Sequence, residues 1–452
     1  MSDISQNRVG SDGVSSTPTS YQIGYLKIVA NNSGHSGSGD EYVYDITNQL
    51  AYFEITESLN NPGLEVILSI GDSINLIENI NLQGSESLEL YVYRKQPQGK
   101  NKRGSDKKSF TLKLRIAEIF DYTRLKPGLI TYNIRAVSEH VYVNGVKSLN
   151  HSFKGSIVDL ISTISKNKLN IDNYNSNGVS KNIIKGIYPN IRPINAICWL
   201  LRNAYDQGTP FFYYQTLADN GKVHLKSYKS ILEDDDNYDK YSFFPFTDSS
   251  IELETKEGYE YERTIIRKLT SNYNQSKFIA LHNGAYGSTL HTIDIGNKKY
   301  EKNYHAYSDS TLKLNQHPPF SKSERAKIDN TDMSQLADSK NYFISLNNDA
   351  FSSESNYNAP TQLDFQKSIA YLENLNYQTH QIQVAGDFDL TVGKKIQVDI
   401  RKATGENQGT GLDKLQSGVY LITEIEHRFK EGFYQNLTIK KDSSEVNLDA
   451  TR

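Results

Sequence analysis

Residues 381–441 constrain this chain more than any other stretch. They read QIQVAG, DFDLTVG and KKIQVDI, then a Gly/Asn-rich loop, then GVYLITEIEHRF and FYQNLTIKK. Side-chain character alternates within the runs. Val419, Leu421, Thr423 and Ile425 fall on one face; Tyr420, Ile422, Glu424 and Glu426 fall on the other. A period of two is strand geometry. Gly386-Asp387 and Lys430-Glu431-Gly432 supply turn chemistry, so these runs are predicted to form an antiparallel unit, closed or nearly so. Register follows from the pattern, because a one-residue slip would turn Leu421, Ile425, Leu437 and Ile439 outward.

The rest of the chain suits thin sheets. Its 452 residues leave room for two to four domains, with 37% hydrophobic residues and a mean hydropathy of -0.61. Long exposed loops, or a surface finished by neighbours, account for so polar a composition. A net charge of -3 implies no bulk attraction to nucleic acid or to an anionic membrane. Cys198 stands alone, which excludes an intrachain disulfide and a thiolate zinc cluster. The longest apolar run, 194–201, is too short to cross a bilayer, and the N-terminus has no hydrophobic signal core. The chain is therefore expected to be made in a cytoplasm, without membrane insertion. The 31 tyrosines fit AT-rich coding or aromatic interfaces, and composition does not choose between them.

Residues 1–20 are polar and read as a flexible arm. Strand-like runs fill 21–140. Phe53 and Ile55 alternate with Glu54 and Thr56, Asn61-Pro62-Gly63 makes a turn, and Asp72 or Ser73 caps a short helix carrying Ile74, Leu76 and Ile77. The basic tract 100–108 reads as a hairpin tip. The character changes over 141–230. Ile157, Leu160, Ile161 and Ile164 form a helical face; Pro193 opens a second helix, with Gly208 at its end. The strands TPFFYYQT and KVHLKSY follow. Ile194, Ile197, Trp199, Leu201 and Phe211 are the expected core of this segment. Residues 231–310 read as strands again, 311–360 as an irregular excursion with a helix near 333–342, and 361–445 as a helix leading into the closing strands. Residues 446–452 form a tail.

No residue pattern points to catalysis or a cofactor. His282, His291 and His305 are near enough in sequence to meet across a hairpin, but no metal-ligand spacing links them. The run Glu233, Asp234, Asp235, Asp236, with Asp239, lacks the glycine and distal glutamate of a calcium loop and reads as a solvated acidic loop. Carboxylate pairs for glycoside hydrolysis abound by number alone, so they neither support nor exclude that chemistry. Cys198, beside Trp199 on a helix, reads as a buried, inert thiol. The 100–108 lysines and arginine lack interleaved aromatics, which favours an exposed loop or a protein contact over DNA binding.

The order of pieces carries a resemblance. A strand, a Pro-Gly turn, a strand, Gly71-Asp72, a short helix, Gly84-x-Glu86 and a strand resemble the first barrel of baseplate central hub proteins of contractile, T-even-like phages. These are related to the spike-base proteins of contractile secretion machines. The PINAICWLLRNA helix before an aromatic strand resembles that family's inserted domain, and 381–441 resembles its closing strands. The resemblance implies a β-rich α+β fold: two tube-type antiparallel β-barrels, an inserted α/β domain and long loops. Gly386, Asp387, Gly393, Tyr420, Leu421, Ile425, His427 and Leu437 would then help close the second barrel. It implies a structural hub rather than an enzyme, with no cofactor and no metal. The ring would be a homotrimer with pseudo-six-fold symmetry between the tail tube protein ring and the trimeric central spike. Tape-measure and wedge proteins are further candidate partners. DNA would pass through the lumen without specific binding, and the protein would reside in the virion after assembly in the host cytoplasm. The alternative is a β-rich wall hydrolase or receptor-binding tail protein.

Overall fold

The computed structural model describes residues 18–31, 41–80, 82–84, 86–97, 105–180, 183–234, 238–243, 256–272, 276–308, 311–346, 362–402 and 411–449. The arm before residue 18, the tip of the basic tract at 98–104, and Asp235 and Asp236 of the acidic run lie outside them.

The first half is built from strands β1 (Gln22–Asn31), β2 (Glu41–Asp45), β3 (Leu50–Ser58) and β4 (Glu65–Asp72), then β5 (Ser87–Pro97), β6 (Ser105–Lys126) and β7 (Leu129–Ser138). Every second side chain turns inward. Phe53 and Ile55, Val66, Leu68 and Ile70, and Leu88, Leu90 and Val92 share one core. Each such side chain stabilises the fold by ~1.5–3 kcal/mol when fully buried. Helix α1 (Leu76–Ile80) links β4 to β5. Asp72 caps its start, accepting from the backbone of Ile74 at 3.0 Å and Leu76 at 2.7 Å.

The inserted segment holds α2 (Glu139–Val146), β8 (Ser152–Ser156), α3 (Ile157–Asn167), β9 (Tyr174–Asn177), β10 (Ile183–Ile187) and α4 (Pro193–Leu201). After these come β11 (Tyr205–Asp206), β12 (Thr209–Gln215), α5 (Ala218–Gly221), β13 (Val223–Ser227) and α6 (Tyr228–Leu232). Its core joins α3, α4 and the aromatic strand β12. Several expectations fail here. Trp199 is 40% exposed, and Cys198 is exposed beside it. The buried stripe of α4 is Pro193, Ala196, Ile197 and Leu200, with Ile194 beside it, and Leu201 is only half-buried. At 3.6 residues per turn this stripe leaves positions 198 and 199 on the far side. Gly208 ends no helix, since α4 stops at Leu201. Gln207 (φ 54°) and Gly208 (φ 86°) instead make the tight left-handed turn between β11 and β12.

The second half contains β14 (Lys240–Phe243), α7 (Lys256–Thr264), β15 (Lys268–Asn272) and α8 (Lys277–His282). Strands β16 (Gly287–Asp294), β17 (Lys299–Ala306) and β18 (Asn341–Leu346) follow, then α9 (Gln362–Asn374), β19 (Gln378–Ala385), β20 (Lys395–Ile400), β21 (Gly418–Phe429) and β22 (Phe433–Lys441). The region 231–310 is therefore not all strand. The alternating Tyr259-Glu260-Tyr261-Glu262 mimics a strand, but Glu260 pairs with Arg263 at 2.9 Å across one helical turn. The helix expected near 333–342 is two short 3-10 turns followed by β18, whose ladder comes from distant β16. Strands β16, β17 and β18 form a separate three-stranded sheet.

The two halves share one thirteen-stranded sheet, ordered β15-β19-β22-β21-β3-β4-β7-β6-β5-β1-β2, with β20 and β14 branching from β21. Strand β21 divides its partners. Its first residues pair with β20, and Glu424–Phe429 pair with β3. A bulge between Ile422 and Glu424 breaks the simple alternation read from the sequence. Before it both faces are buried; after it Ile425, His427 and Phe429 point inward. Gly386-Asp387 is not a hairpin turn, because β19 pairs with β15 and β22 while β20 pairs with β14 and β21. The tail is tied down as far as Asp449, which accepts from the backbone of Lys322 and Ser323, both at 2.8 Å.

Candidate functional site

One face of the shared sheet is polar. Registers place side chains in rows across five strands of it. Arg428, Glu54, Ile67, Arg135 and Glu118 form one row, and Asn436, Glu426, Thr56 and Glu65 the next. Gln383, Gln381 and Thr438 extend it toward β15, around a shallow depression of about 440 Å³. The two arginines of these rows are matched. Arg428 lies 2.8 Å from Glu54 and 3.9 Å from Glu426; Arg135 lies 2.7 Å from Glu65 and 3.7 Å from Glu118. Each guanidinium thus sits between two carboxylates.

The opposite face of the same strands is a buried junction, and most of the closing residues read from the sequence lie in or beside it. Phe53 on β3, Phe429 on β21 and Phe433 on β22 stack as a ladder, with ring centroids 4.3 and 4.2 Å apart. One layer along, the inward positions are polar. His427 Nε2 lies 2.9 Å from Glu57 Oε1, and both residues are fully buried. Glu57 also accepts from the backbone of Leu217 at 2.8 Å and Val392 at 3.3 Å. Gln435 settles the imidazole tautomer. Its oxygen accepts from Asp387 N at 2.9 Å, so its nitrogen faces both Asp387 O at 2.7 Å and His427 Nδ1 at 3.1 Å. Nδ1 must then accept, leaving the proton on Nε2 to be donated to Glu57.

Asp387 carries the junction outward. Its carboxylate takes Arg263 Nη1 at 2.9 Å, and Arg263 also holds Asp239 at 3.1 Å. Burial works against the Arg263 charge, but Asp239, Tyr241 and Asp387 together hold its pKa above the ordinary value. Gly386 is needed for space, since a Cβ there would run into the Phe433 ring. Gly393 (φ 81°) lies against the Tyr214 hydroxyl. Leu421, Ile425 and Leu437 lie in the second core with Tyr420, whose ring has Lys441 Nζ 4.9 Å above it. Sequence reasoning missed Glu57, Gln435, Arg94 and Arg263. Three of them carried a signal: Glu57, Gln435 and Arg94 are polar residues on the apolar parity of their strands. Buried Arg94 donates to Pro18 O at 2.5 Å and Gly386 O at 2.6 Å.

The other candidates do not assemble. His291 sits opposite Lys302 and His305 opposite Ser288, on different faces of the small sheet. In the acidic run Asp234 pairs with Lys226 at 2.9 Å. Partial burial pushes the Cys198 thiol up, with Arg202 opposing more weakly. Among the described residues no three His, Cys, Asp or Glu side chains stand where they can hold a metal ion, and no helix is long and apolar enough to cross a membrane.

No protein-family profile and no curated protein matches the sequence. Solved structures do. The tail protein of Neisseria meningitidis MC58 is similar with a TM-score of 0.50 at 13% identity, over 95% of this chain and 99% of that one. A 43 kDa tail protein of prophage MuSo2 from Shewanella oneidensis gives 0.46 at 10% identity, over 93% and 98%. An E. coli component of the type VI secretion system gives 0.42 at 10% identity, over 96% and 80%. The first of these likenesses shows that, along nearly its whole length, the chain has the fold of that tail protein.

Proposed function

We propose that this chain is the baseplate hub of a contractile phage tail. Three copies would form a ring of six similar sheet units, matching a hexameric tail tube on one side and a trimeric spike on the other. The observation that supports this reading is the shared sheet: two halves with separate cores, joined through the single strand β21. One chain thereby offers two tube-like walls, and a closed ring would cover the sheet edges at β2 and β15. The polar face carrying Arg428, Glu54, Arg135 and Glu65 is the wall assigned to the lumen. Its paired arginines offer a passing phosphate backbone little purchase. The partners are the tube ring, the spike and the chain itself. The protein would reside in the virion after assembly in the host cytoplasm and would have no hydrolase activity.

Mass measurement in solution tests this. Three subunits are expected, alone or once tube or spike protein is added. A chain that stays monomeric with both partners present overturns the reading. Release of fragments from peptidoglycan, abolished by replacing one carboxylate, would favour the wall hydrolase instead.

A further inference from the structure

A cleft of about 330 Å³ opens between the start of α8, the 319–333 stretch and the C-terminal part of the chain. Its lining is mostly apolar: Pro319, Phe320, Ala326, Met333, Leu415 and Leu448. That size and lining suit a small apolar molecule. Among the described residues that line it, Lys277 is the sole charged side chain, and it is half-buried.

The Lys277 ammonium lies against two other wall residues. Nζ donates to Pro319 O at 2.5 Å and stands 4.3 Å from the centre of the Tyr377 ring. It also donates to Tyr286 Oη at 3.3 Å. An ammonium has three N–H bonds, and two find oxygens here. All these partners are neutral. Among the described residues no carboxylate pairs with Nζ, and burial pulls its pKa down to about 8 with no neighbouring charge to oppose it. Asp449, beside Leu448, is committed elsewhere. It accepts from Ser321 Oγ at 2.5 Å and from the backbone of Lys322 and Ser323 at 2.8 Å. A desolvated cation without a counter-charge carries a penalty that a bound anion removes.

We propose that this cleft binds a small apolar carboxylic acid of the medium-chain fatty acid class, its carboxylate at Lys277 Nζ and its chain against Phe320, Met333 and Leu448. The site is independent of the hub reading.

Calorimetry on the full chain tests it, with octanoate, octanol and acetyl-Leu-Leu as probes. Octanoate should bind at least about tenfold more tightly than octanol. Lys277→Met should weaken octanoate about tenfold or more, to the level of octanol, while octanol still binds. Octanoate should also protect Lys277 of the parent chain from acetylation by an activated ester, read on the peptide that carries it, so the outcome does not depend on the variant folding. Octanol binding the parent as tightly as octanoate overturns the proposal. So does no binding of either, a folded Lys277→Met variant that keeps the tenfold preference, or acetylation of Lys277 at the same rate with and without octanoate. Acetyl-Leu-Leu binding more tightly than octanoate would overturn it too and assign the cleft to the C-terminus of a peptide.

Discussion

Glu57 on β3 and His427 on β21 meet at 2.9 Å with both side chains fully buried, one strand from each half of the molecule. The contact is diagonal: His427 faces Ile55, and Glu57 faces Ile425. Because Glu57 also takes the backbone of Leu217 and Val392, one carboxylate holds four segments together. Glu57→Ala would strand three buried donors. The expected cost is ~3–5 kcal/mol, read from the denaturant midpoint. A double-mutant cycle with His427→Ala should show strong coupling, since both changes break one network.

Two glycines, one at the junction and one in α2, separate space from conformation. Gly386→Ala drives a methyl into the Phe433 ring and should cost ~1–3 kcal/mol. Gly145→Ala, near the end of α2 with nothing within 4 Å of the new Cβ, should instead stabilise by ~0.4–1 kcal/mol. Thermal melts of the two variants should move in opposite directions.

Trp199 is the only tryptophan, so its environment can be read directly. It touches Phe153 and Tyr188 edge-on, at 5.9 and 6.5 Å between centroids. Its emission should be red-shifted and quenched by acrylamide. Trp199→Ala should cost only ~0.5–1.5 kcal/mol, well below the loss of a core aromatic.

Lys441 predicts a pH slope. It is fully buried, donating to Leu415 O at 2.7 Å and Ser417 O at 2.9 Å. Burial lowers its pKa to about 7, with Glu445 and Asp413 opposing. The unfolded chain keeps the ordinary value of 10.5, so between these pH values the unfolded state binds the extra proton. Its contribution to stability therefore rises from pH 7 to 10.5 and is least favourable below pH 7. His380, held near 4 by burial and Lys441, adds a rise of the same sign between 4 and 6.5. Lys441→Met should remove the upper slope and only shrink the lower one, which burial of His380 still sustains. Denaturant titrations at several pH values check this, and a parent curve flat above pH 7 would refute it.

Much of the sheet is legible in the sequence because strand formation is local. Phe53, Ile55, Val66, Leu68, Leu437 and Ile439 declare their faces by alternation alone, and Lys430-Glu431-Gly432 declares its hairpin. The junction is legible in outline too: Glu57, His427, Gln435, Arg94 and Lys441 each break an apolar parity, which marks a polar group turned inward. What each one meets was not legible, because partners 292 and 370 residues apart in sequence leave no periodic trace. Local pattern also misled where long-range contacts decided. The Tyr-Glu alternation of 259–262 became a helix carrying Arg263 to Asp387, and β18 gained its ladder only from β16. The bulge after Ile422 lets β21 leave β20 and join β3. Local alternation therefore determined which residues form strands and which face inward. Only the tertiary structure decided that both halves share one sheet, because strand pairing depends on which edges meet after the chain has folded back.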